Sequence, residues 1–248
     1  MFLAALLLSM QTLGAPAIAV AAASDLQAAL PQLVARFEKE TGRTVRVTYG
    51  SSGNFFAQLQ NGAPFDVFLS ADIDYPARLD KGGLAVPGTI TRYATGRIVL
   101  WTRSDSRINV SRGLDAAVDP AVRHIAIANP EHAPYGRAAV SALQRANLYE
   151  TAKARFVLGE NISQAAQFAQ SGNAEVGIIA LSLALRPSMK ASGRYFEIPA
   201  ASHPPIEQAG VVLKQARDVA AARQFLAFLT RADSASYLKS MGFDTPSR

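Results

Sequence analysis

Serine stands twice where an apolar run gives way to helical spacing. Ile18 to Ala23 is an unbroken apolar run that stops at Ser24, after which Leu26, Leu30, Leu33 and Phe37 recur on one helical face. Thr44 to Tyr49 repeats the pattern: Val45 and Val47 alternate with polar residues, Gly50, Ser51, Ser52 and Gly53 follow, and Phe55, Phe56 and Leu59 open a short helix. The first N–H groups of a helix have no partner within it and carry partial positive charge. A serine hydroxyl beside them completes a cradle for the oxygens of an anion. Ser24 and Ser52 are therefore candidate anion contacts, and both also suit the plainer role of helix N-caps. Asp25 reads as a capping carboxylate, because its charge would oppose an anion.

Other chemistries find less material. The absence of cysteine removes disulfides, thiolate metal sites and cysteine nucleophiles together. The three histidines, His124, His132 and His203, lack the carboxylate and histidine spacing of a metal site, so no metal ligand is assigned. Gly50 to Asn54 resembles the serine hydrolase elbow G-x-S-x-G, but its last position is Asn54. A triad would also need a histidine, and His124 is expected to open a buried strand, His132 to sit in a loop and His203 to precede Pro204 in a connector. No catalytic residue is assigned. The net charge of +6 comes from singly scattered Lys and Arg without interleaved aromatics, which argues against nucleic acid while still drawing small anions.

The elements that must position these turns alternate along the chain. Strands are expected at Asp66–Leu69, Gly96–Thr102, His124–Ala128, Phe156–Leu158, Val176–Ala180 and Gln208–Leu213. Helices are expected at Asp72–Lys81, Tyr135–Ala146, Ile162–Ser171, Asp218–Thr230 and Ser234–Met241. Pro31 lies too deep for a first-turn position, so the first helix should kink or fall in two pieces. Short, unbroken apolar strands suit mainly parallel sheets covered by helices on both faces, so the fold class is α/β. Two halves of this kind make a two-domain clamshell joined by two hinge strands. Domain one is expected over residues 18–96 plus 208–248 and domain two over 97–207, with ligands at the strand ends in the cleft. The apolar block Phe2–Leu8 and the small-residue site Ala15-Pro16-Ala17 predict a secretory signal peptide over residues 1–17, despite a missing basic start. No cysteine lies near that site to carry a lipid anchor.

AAAS at Ala21–Ser24, YGSSG at Tyr49–Gly53, GAPFDVFLSAD at Gly62–Asp72 and above all ANPEHAPYGRAA at Ala128–Ala139 resemble the periplasmic molybdate-binding proteins of molybdenum ABC importers. The resemblance spans essentially the whole mature chain. It implies a monomeric periplasmic receptor without catalysis or cofactor, which takes molybdate or tungstate and delivers it to an inner-membrane permease. It also implies the contacts: Ser24 and Ser52 through hydroxyl and N–H in domain one, and the N–H groups of Tyr135 and Ile162 in domain two. Many relatives end the strand matching Val176–Ile179 with a tyrosine whose hydroxyl touches the anion. Here Ala180 stands there, and the Tyr135 hydroxyl is the expected substitute.

Such a site holds a dianion with neutral donors alone. Charge-assisted hydrogen bonds contribute about 1.5 to 3 kcal/mol each, so several suffice to outweigh the cost of association. Neutral donors offer no acceptor to a protonated anion such as hydrogen phosphate and so suit a fully deprotonated one. Sulfate, another oxyanion or an organic acid is the alternative ligand.

Overall fold

The computed structural model describes residues 16–246. Its strands form two five-stranded sheets joined by two crossings. β1 (Ile18–Ala23) leads through a 3-10 turn, Ser24–Ala28, into α1 (Leu30–Thr41), followed by β2 (Val45–Gly50), α2 (Ser52–Gln60), β3 (Val67–Ser70), α3 (Asp74–Lys81) and β4 (Thr91–Gly96). The second unit holds β5 (Ile98–Arg103), a kinked 3-10 segment Val110–Val118, β6 (Ile125–Ala128), α4 (Pro134–Arg145), α5 (Tyr149–Ala152), β7 (Phe156–Gly159), α6 (Ile162–Ser171), β8 (Val176–Ala180), α7 (Leu181–Ala184), α8 (Pro187–Ser192) and β9 (Gly193–Glu197). The chain then returns through β10 (Ile206–Val212) and ends in α9 (Val219–Leu229) and α10 (Ala232–Ser240).

The orders are β2-β1-β3-β10-β4 and β7-β6-β8-β5-β9. In each sheet the first three strands pair in parallel, and the fourth, β10 or β5, runs against both of its neighbours. The reversed strand is the one that has just crossed from the other sheet. The two sheets therefore share one plan, and the carboxyl ends of β1, β2, β6 and β7 all feed the turns that carry the candidate contacts.

Burial accounts for the unbroken apolar strands: every residue of β3, β6 and β8 is buried. In β1 alternate side chains serve two cores. Ile18, Val20 and Ala22 join α1 and α9 on one face, where the Phe37 and Phe225 rings meet edge-on at 5.1 Å. Ala21 joins Phe55, Phe56 and Phe68 on the other, beneath α2 and α3. Pro31 takes the second position of α1, and the helix is preceded by the separate 3-10 turn, which is the two-piece form expected from the sequence.

Three expectations change. The strand expected at Gly96–Thr102 is β5, which begins at Ile98, while Gly96 closes a separate strand, β4, and the chain leaves one sheet for the other at Arg97. β4 and β9 escape the apolar pattern because both are edge strands with exposed polar positions. His124 does not open a buried strand: β6 begins at Ile125, and the half-exposed His124 gives its N–H to Glu175 Oε2 at 2.7 Å. The leader expected over residues 1–17 lies outside the described residues except for Pro16 and Ala17.

Candidate anion-binding site

The four turns converge. Ser24 opens the 3-10 turn after β1, Ser52 is the first residue of α2, Tyr135 the second of α4, and Ile162 the first of α6. All four line one cavity between the sheets, together with Asp25 and Ser51, and each is at most 4% exposed. The walls stand close together around about 190 Å³ of free space. Among the described residues lining it there is no lysine, arginine or histidine.

Hydrogen-bond direction decides what the serines can do. Ser52 Oγ accepts from the Ala71 N–H at 3.0 Å, and Ser24 Oγ accepts from the Ser163 N–H at 3.4 Å. A hydroxyl that accepts still has its single hydrogen to donate. The N–H groups of Ser52, Tyr135 and Ile162 make no hydrogen bond among the described residues. Ser51 differs: its Oγ donates to the His132 carbonyl at 2.7 Å, so its hydrogen is spent across the cleft. His132 Nδ1 lies 3.0 Å from the same Oγ, which makes it a second neighbour of a donating hydroxyl and not the base of a nucleophile.

The reading of Tyr135 needs correction in one respect. Its hydroxyl is not available in place of the tyrosine missing at Ala180, because it donates to Asp25 Oδ2 at 2.9 Å inside the protein. Its backbone N–H at the start of α4 keeps the assigned position. Asp25 is likewise not a simple cap. Its Oδ2 also accepts from Gln208 Nε2, Gln208 Oε1 accepts from Tyr93 at 2.9 Å, and the network runs from β4 and β10 across to α4. Burial pushes the Asp25 carboxyl up to about 6, although hydrogen bonds from Gln208 and Tyr135, and the nearby N–H groups of Asp25 and Leu26, pull the other way. Burial and then the Asp25 charge hold the Tyr93 and Tyr135 phenols well above their ordinary range, so both are neutral donors.

Further bonds tie the walls together. Gly53 N–H donates to His132 O at 2.9 Å, Ser163 Oγ to Gln27 Oε1 at 2.6 Å, and Ser182 Oγ to Asp25 O at 2.9 Å; Arg137 pairs with Asp72 and Asn54 with Glu160. Sequence reasoning passed over Gln208, His132 as a bridging residue and Gly53. Only Gln208 left a signal, as a polar residue in the otherwise apolar run Gln208–Leu213.

Two α/β domains meeting at a buried, donor-lined cavity make up the periplasmic binding protein fold. The chain belongs to the bacterial extracellular solute-binding protein family, whose profile matches residues 18–244. It is 36% identical over 226 residues to the molybdate-binding protein ModA of Azotobacter vinelandii, covering 91% of this chain and 89% of the relative. To ModA of Rhodobacter capsulatus it is 37% identical over 228 residues, 92% of this chain and 88% of the relative. Among solved structures, the Azotobacter vinelandii periplasmic molybdate-binding protein superposes with a TM-score of 0.86 at 34% identity, covering 93% of this chain and all of that one. The substrate-binding domain of a putative molybdenum ABC transporter from Clostridium difficile gives 0.70 at 26%, covering 93% and 99%.

Proposed function

We infer that this protein captures molybdate or tungstate between its lobes and hands it to the permease of an ABC importer. Residues 18–96 with 208–248 form one lobe and 97–207 the other. Ser24 and Ser52 bind the anion through hydroxyl and backbone donors, and Tyr135 and Ile162 bind it through their N–H groups. The protein acts as a monomer in the periplasm after export on residues 1–17, performs no catalysis, and needs no cofactor or resident metal, since molybdenum is met only through its oxygens.

The observation that carries this reading is the donor set around one cavity: two serine hydroxyls with a hydrogen left to give and three N–H groups that have no partner, with no cation in the lining, among the described residues. Relatives named for molybdate binding support the choice of anion. Calorimetric titration with molybdate, tungstate and sulfate tests it. One equivalent of molybdate or tungstate should bind, with sulfate at least about 100-fold weaker, a difference of about 2.7 kcal/mol. Binding of sulfate or an organic acid with no heat from the other two contradicts the assignment.

A further inference from the structure

One group in the cavity wall is foreign to a site made of neutral donors. Asp25 is fully buried beside Ser24, and its two oxygens differ in surroundings. Oδ2 is taken up by the Tyr135 hydroxyl and Gln208 Nε2, whereas Oδ1 is buried and has no hydrogen-bond partner among the described residues. Among the described residues no lysine, arginine or histidine pairs with this carboxylate. The titratable groups of its network are Tyr135 of α4 and Tyr93 of β4, both neutral, and its contacts from β10 and α7 are the uncharged Gln208 and Ser182. β1, α6 and α7 carry no titratable residue. Arg46 and Tyr49 of β2 and Arg36, Glu38, Lys39 and Glu40 of α1 are exposed or half-buried and make no bond to Asp25. On the remaining turns of the same elements, Arg92 and Glu207 face each other at 3.6 Å, and Arg137 is paired with Asp72.

A doubly charged oxyanion in the same closed cavity would stand beside an uncompensated carboxylate in a low-dielectric wall, which is costly unless one negative charge is removed. A proton on Oδ1 removes that charge and turns an orphaned acceptor into a donor. We propose that Asp25 is the proton-carrying member of the anion site: oxyanion entry draws one proton from solvent onto its carboxyl, and the neutral acid donates through Oδ1 to an anion oxygen. Burial has already brought the carboxyl to about 6, so the empty site is mostly ionised at neutral pH and poised to take the proton. The site then selects a fully deprotonated anion at the expense of tight binding in alkaline solution. This inference rests on the oxyanion reading above.

Calorimetry with sodium molybdate at pH 7.5 in Tris and in HEPES, buffers of different ionisation enthalpy, counts the protons. Between about 0.5 and 1 proton should be taken up per molybdate, and Kd should rise about three- to tenfold from pH 7 to pH 8. Asp25→Asn should lose both the uptake and the pH dependence. Tyr135→Phe, which removes one donor to Oδ2, should move the decline in affinity to higher pH. Molybdate binding with no buffer-dependent heat in the natural protein overturns the proposal, because it means that Asp25 stays ionised; the same uptake in Asp25→Asn overturns it too. The natural protein alone decides if the variants do not fold. No heat with any oxyanion contradicts the oxyanion reading and this inference with it.

Discussion

A hydroxyl has one hydrogen, and where it goes separates the serines of this cleft. Ser51 gives its hydrogen to His132, while Ser24 and Ser52 receive from backbone N–H groups and keep theirs. Ser24→Ala and Ser52→Ala should each weaken anion binding by about 1 to 3 kcal/mol, measured by titration, since each deletes one donor to a charged acceptor. Tyr135→Phe should leave binding at pH 7 unchanged or slightly tighter, because the deleted hydroxyl bonds to Asp25 and the N–H remains. A Tyr135→Phe loss as large as the serine losses would put that hydroxyl back on the anion. At this scale the sequence was informative about position and silent about direction. Strand-to-helix turns mark Ser24 and Ser52, but the partners that orient their hydrogens, Ser163 and Ala71, lie 139 and 19 residues away.

The elements meet so closely that one added carbon would part them. A Cβ at Gly53, in the first turn of α2, would lie 2.5 Å from the His132 carbonyl oxygen and 2.8 Å from the Tyr75 hydroxyl. That carbonyl also receives the Gly53 N–H and the Ser51 hydroxyl, so the opposing loop cannot yield without losing both bonds. Gly53→Ala should therefore hold the lobes apart, lower anion affinity about tenfold or more, and leave the solution radius larger with anion present than that of the natural protein. Small-angle scattering with and without molybdate checks this; equal compaction in the two proteins would contradict it. Periodicity predicted α6 and β8 at their observed bounds, because both have a continuous buried face. It missed β4 and β9, whose exposed residues carry no apolar alternation.

Across the whole molecule, acidic groups pull stability in opposite directions with pH. Burial opposes ionisation of Asp66, yet hydrogen bonds from Arg217 and the Ala19 N–H outweigh it and hold the carboxyl below its ordinary range. A carboxyl lowered in this way stabilises the fold above its unfolded value, and that contribution is lost as pH falls. Asp25 does the reverse. Its carboxyl is raised to about 6 from 3.8, so its contribution is present below about pH 4 and lost as pH rises through about 6. Asp25→Asn should gain stability relative to the natural protein by about 2 to 3 kcal/mol between pH 4 and pH 7, read from urea midpoints without anion. A constant difference would mean that the folded carboxyl titrates like the unfolded one. The two-lobed plan was legible because the strand-helix pattern restarts after Gly96. The buried network of Asp25, Tyr135, Gln208 and Tyr93 was not, because its members come from four elements that only the fold brings together.

In the proposed site, four turns from two lobes deliver neutral donors to one oxyanion. A crystal grown with tungstate, with data collected at the tungsten absorption edge, places the metal atom directly. One anomalous peak is expected between the lobes, with oxygens in hydrogen-bond reach of Ser24 Oγ, Ser52 Oγ and the N–H groups of Tyr135 and Ile162. A peak elsewhere, or one held by arginine or lysine side chains, would contradict it.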